Sequence, residues 1–103
     1  MKLNVNNDQL VDAPSIDLIR QSIDELLPEK FVVLAKSEHE YIQVCQNPDR
    51  TFQLEYRAGS EVEHFEAVKL PCIDDVEQAF IRYADGMPNW ETPWDWRKLN
   101  LDG

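Results

Sequence analysis

Residues 41–67, YIQVCQNPDRTFQLEYRAGSEVEHFEA, decide the fold. Apolar and polar side chains alternate along them with a period of two, the repeat of a strand with one dry and one wet face. In the first run Ile42 and Val44 point one way, and Tyr41, Gln43 and Cys45 the other. In the second, Phe52, Leu54 and Tyr56 oppose Thr51, Gln53, Glu55 and Arg57; in the third, Glu63, Phe65 and Ala67 oppose Val62, His64 and Glu66. Between the runs, Asn47-Pro48-Asp49 and Ala58-Gly59-Ser60 supply the side chains and backbone freedom that tight turns need. Loops this short join antiparallel neighbours.

Upstream, Phe31–Lys36 (FVVLAK) is a nearly continuous apolar run rich in β-branched residues. It reads as a strand covered on both faces, or as one whose second face is shielded by the tail. From Ser15 the period changes: Ile16, Ile19, Ile23, Leu26 and Leu27 recur at helical spacing, with Ser15 or Asp12 available as cap and Pro28 as the stop. Residues 1–12 are polar and read as an arm without regular structure, ordered on contact or frayed. Downstream of Val68–Pro71, Asp74 with Glu77 resembles an acidic capping box. Val76, Ala79, Phe80 and Tyr83 then form one stripe, ended by Gly86. In the last segment, NWETPWDWRKLNL, Trp94 and Trp96 alternate about Asp95 as in a short closing strand. The predicted fold is therefore α+β, a single domain over 1–103 in the order α-β-β-β-β-α-β. Both helices back one face of an antiparallel meander, and the other face is polar.

Twenty acidic residues against ten basic ones leave a net charge of -10. The excess is spread along the chain, at -3 over residues 1–28, -3 over 29–69 and -4 over 70–103. Such a surface repels nucleic acid and anionic membrane and favours a basic protein partner. Cys45 and Cys72 show no CxxC spacing, and His39 and His64 show no HxH or HExxH spacing, so neither metal nor cofactor is expected. MKLNVNNDQLVD lacks the apolar run of a signal peptide, and no stretch approaches the roughly 18 apolar residues of a membrane span, so a cytoplasmic location is expected.

His64 with Glu55 and Glu66 is the cluster with acid-base potential, yet no nucleophile accompanies it in the pattern. The candidate interaction surface is the polar strand face, Tyr41, Gln43, Gln53, Glu55, Arg57 and His64, joined by Trp90 from the loop after Pro88. Aromatic residues among amides and mixed charges suit a protein contact. Trp94 and Trp96 are expected to close the core. The expected function is non-enzymatic protein interaction, by a monomer or a homodimer paired through an edge strand or the sheet face. The alternative is a small-molecule binding module or minor enzyme using His64 and Glu55.

The string YIQ...FQLEYRAGS...HFEA...VEQAFIRYADG...W...W resembles a group of small bacterial α+β proteins, similar to immunity-type proteins of toxin systems. The likeness spans about Ser15 to Trp96 and rests on Gln43, Glu55, Tyr56, Arg57, His64, Phe65, Phe80, Tyr83, Trp90 and Trp96. It implies a non-enzymatic protein that binds a cognate toxin, and it carries no binding residues across.

Overall fold

In a computed structural model, which describes residues 1–60, 62–68 and 72–99, the alternating stretch forms three adjacent strands in the register its pattern requires. These are β4 (Glu40–Gln46), β5 (Phe52–Ala58) and β6 (His64–Ala67). Around them stand β1 (Lys2–Val5), β2 (Gln9–Asp12), α1 (Ile16–Asp24), β3 (Phe31–Ser37), α2 (Ile73–Ala84) and β7 (Trp96–Lys98). The described strands make one seven-stranded sheet in the order β2-β1-β3-β4-β5-β6-β7, every neighbour antiparallel.

Register decides which side chains meet the helices. Val32 faces Val44, Leu34 faces Ile42 and Val44 faces Leu54, so one row set is wholly apolar. It is buried against Ile19, Ile23 and Leu26 near or on α1 and against Val76, Ala79, Phe80 and Tyr83 on α2. The predicted α2 stripe is thus the buried one, and Gly86 follows its C-cap at φ +67°, a backbone region where glycine has no Cβ penalty. The predicted α+β order holds, with both helices on one face.

Three details differ from expectation. First, residues 1–12 are no arm. Asn6 and Asn7 adopt positive φ, 56° and 60°, which turns β1 back on β2, and Asn4 Oδ1 accepts the Asn7 N–H at 2.9 Å. Asparagine tolerates the left-handed region better than other non-glycine residues. The hairpin is fastened to β3 by Asn6, whose Oδ1 accepts the Phe31 N–H at 2.7 Å, and by Leu3, which is completely buried. Second, β3 is covered on one face alone: Phe31, Val33 and Ala35 stay half-buried on the open side, and the tail lies at the far edge of the sheet as β7. Third, α2 begins earlier than Asp74, at Ile73. Asp75 accepts from both the N–H and the thiol of Cys72, at 3.3 and 3.1 Å. Ser15, as expected, caps α1 by accepting from Leu18 N–H; α1 stops at Asp24, ahead of Pro28. Leu70, Pro71 and the end of the last segment lie outside the described residues.

The helix face closes over β5–β7 with aromatics. Tyr56 stacks on Phe65 at 4.9 Å and meets Trp90 and Trp96 edge-on at 5.0 and 4.7 Å. Tyr83 meets Trp90 at 5.1 Å, yet among the described residues its buried hydroxyl has no hydrogen-bond partner. Burial pushes the Tyr83 phenol up, and Glu40 pushes the same way. An unsatisfied buried hydroxyl costs stability that phenylalanine avoids. Tyr83→Phe is therefore expected to stabilise the fold by about 1 kcal/mol, read in thermal melts as a rise of about 4–8 °C.

Candidate functional site on the open sheet face

The pleat sends alternate residues of β4, β5 and β6 away from the helices, which makes a site out of residues distant in sequence. Tyr41 faces Arg57 and Arg57 faces His64 in one row; Gln43 faces Glu55 and Glu55 faces Glu66 in the next. Gln53 stands beside Cys45 in a third. Six of the seven predicted surface residues are thus brought together. Trp90 is not among them: it belongs to the aromatic closure on the opposite face, tied to α2 by Arg82 Nε donating to its carbonyl at 3.2 Å. The loop after Pro88 folds back because Trp90 finds Tyr56, Tyr83 and Trp96 there. Trp94 and Trp96 also pack against the core, as predicted.

Geometry singles out His64 and Glu55. His64 Nε2 lies 3.2 Å from Glu55 Oε1, and the two side chains are only 13% and 12% exposed although no helix covers them. On the other side of the ring, Arg57 Nη2 approaches His64 Nδ1 at 3.1 Å, while Nη1 reaches His39 Nδ1 at 3.5 Å. A guanidinium has no acceptor, so Nδ1 of His64 carries a lone pair and the ring proton sits on Nε2, towards Glu55. The Nε2 contact is short but off the line of a hydrogen bond, so among the described residues that nitrogen has no hydrogen-bond partner, and neither has the buried Arg57 Nε. Tyr41 frames the cluster, edge-on to His64 at 6.3 Å and beneath the Arg57 guanidinium at 5.5 Å.

Two carboxylates face each other across β5 and β6, Glu55 and Glu66. Like charges in directly opposed positions are destabilising. Arg97 on β7 answers Glu66 at 3.5 Å. Burial pushes the Glu55 carboxyl up, opposed by the attraction of His64 and reinforced by Glu66. A carboxyl raised in the fold contributes stability below its ordinary value near 4.5 and loses it as pH rises through the folded value. Glu55→Gln is accordingly expected to melt higher than wild type at pH 8, with the difference closing towards pH 4. Paired melts across that range check it; a variant less stable at pH 8 would show that the His64 contact outweighs desolvation.

Sequence reasoning missed His39, which lies in the turn before β4. Its carbonyl accepts from Gly59 N–H at 2.7 Å, so the β3–β4 and β5–β6 turns are joined and the imidazole is carried to Arg57. Its position two residues before Tyr41 was the available signal. Also missed was the apolar row on the open face of β3, Phe31, Val33 and Ala35; next to it β1 presents Lys2 and Asn4, and Leu10 on β2 stands beyond Asn4 at 72% exposure.

Among the described residues no group of three or more His, Cys, Asp or Glu side chains is arranged to hold a metal ion. A groove of about 660 Å³ opens at the end of the sheet between Lys2, Asp12, Ala35 and Glu38, and its lining includes neither His64 nor Glu55. Among the described residues no helix is long and apolar enough to cross a membrane. No family model, curated protein or solved structure matches this chain.

Proposed function

We propose that this chain is a non-catalytic protein-interaction domain that engages a basic partner through the open face of its sheet, in the manner of an immunity-type protein holding a cognate toxin in the cytoplasm. The observation that carries the reading is the uncovered face itself: apolar Phe31, Val33 and Tyr41 adjoin a polar cluster already held in place by contacts among its own members. An apolar centre with an ordered polar surround is the anatomy of a specific interface. The three central strands have seven residues each and the outer four have three or four, so at about 3.3 Å per residue and about 4.8 Å between strands the face offers roughly 570 Å², a large part of the roughly 800 Å² per partner of a standard complex. The -10 charge acts at longer range, steering a basic partner in.

The small-molecule or enzymatic alternative draws on one observation, the imidazole oriented between Arg57 and Glu55. Against it, the 660 Å³ groove lies elsewhere.

Capture from native lysate and co-expression with a neighbouring toxin gene test the reading. Tyr41→Ala, central to the face and outside the core, is expected to weaken capture tenfold or more while leaving the melting curve nearly unchanged. Undiminished capture by Tyr41→Ala, or no partner in repeated trials, would overturn it.

A further inference from the structure

We infer that the open face carries an acid-responsive switch: protonation of the His64 imidazole unseats the Arg57 guanidinium and swings the ring onto Glu55. The seat of Arg57 is unusual. Among the described residues no carboxylate comes within 4.0 Å of its guanidinium; its hydrogen-bond contacts are His64 Nδ1 at 3.1 Å and His39 Nδ1 at 3.5 Å, over the ring of Tyr41. Both nitrogens serve only while they hold lone pairs. Protonation turns each from an acceptor into a donor and sets an imidazolium beside a guanidinium in a poorly hydrated place, where like charges repel strongly.

The second state has a ready partner. His64 Nε2 already stands 3.2 Å from Glu55 Oε1 without the alignment of a hydrogen bond, so a small ring rotation completes a charge-assisted one. The charged and titratable groups facing His64 are Tyr41 from β4, His39 from the preceding turn, Glu55 and Arg57 from β5, Glu66 on β6 and Arg97 from β7 through Glu66. Acid thus adds up to two positive charges to the face and frees a third, Arg57. A basic partner is then released and an acidic one is favoured. This regulation deepens the interaction reading, but its test uses the free chain and stands or falls separately.

The test is ¹⁵N NMR of the wild-type chain from pH 8 to pH 5, the range in which imidazoles ordinarily titrate, observing both His side chains and the Arg57 guanidinium. At pH 8 the His64 ring is expected to carry its proton on Nε2. As His64 gains its second proton, the Arg57 Nε–H signal should shift with the same midpoint and its exchange with water should quicken several-fold. In His64→Gln, whose side chain cannot gain that proton, the Arg57 response should disappear or follow His39 alone. A proton on Nδ1 at pH 8, an Arg57 signal that stays still while His64 titrates, or a wild-type Arg57 response in His64→Gln would each overturn the switch. Should the variant fail to fold, the wild-type titration decides alone.

Discussion

Leu3→Ala is expected to lower stability by about 2–5 kcal/mol, a drop in melting temperature of 10 °C or more. The side chain is completely buried, flanked in register by Val11 of β2 and Leu34 of β3 within the main apolar cluster. Removing it leaves a cavity that the sheet cannot collapse around, since β1 is held between two strands. Leu10→Ala, on the same hairpin but 72% exposed, is expected to stay within about 0.5 kcal/mol of wild type. Denaturant titration of the two variants side by side separates a docked hairpin from an arm: a Leu3→Ala variant indistinguishable from Leu10→Ala would mean that the first strand does not share the core.

The second large effect is expected at Trp96. Its ring lies edge-on to Tyr56 at 4.7 Å and near Trp90 at 5.8 Å, and its Nε1–H donates to the Glu91 carbonyl at 2.8 Å. The one side chain therefore pins β7 to the sheet and the loop before it to the aromatic cluster. Trp96→Ala is expected to cost about 3 kcal/mol, and Trp96→Phe, which keeps the ring contacts and loses the hydrogen bond, about 1 kcal/mol. Equal losses in the two variants would assign the effect to the Glu91 bond instead of to packing.

Where a single periodicity dominated, the sequence was legible. The alternation through Ile42, Val44, Phe52 and Leu54 predicted both the strands and the face each side chain takes, and the Val76–Tyr83 stripe predicted the buried side of α2. The amino-terminal hairpin escaped because its strands are four residues long and its turn is Asn-Asn, a weaker signal than Asn-Gly. Four residues hold too few alternations to separate Leu3 from a polar background. The six strand residues of the candidate site followed from the register alone. Trp90 and His39 did not, because both sit in loops, where position depends on tertiary partners: Tyr56, Tyr83 and Trp96 for one, and the Gly59 N–H with Arg57 for the other.

The burial of Glu55 and His64 links site to stability. A carboxyl raised by desolvation and set opposite Glu66 costs the fold stability at pH values where it is ionised. The rise expected for Glu55→Gln at pH 8 measures that cost in the absence of any partner.

Two free thiols provide the most direct test of the open face as the contact surface. Cys45 is half-buried on that face, beside Gln53, while Cys72 is exposed at the start of α2 in the helix layer. Alkylation rates of both, measured with and without the captured partner, are predicted to show Cys45 slowed several-fold and Cys72 unchanged. Protection of Cys72 with Cys45 still reacting at its free rate would place the partner on the helices and contradict the account.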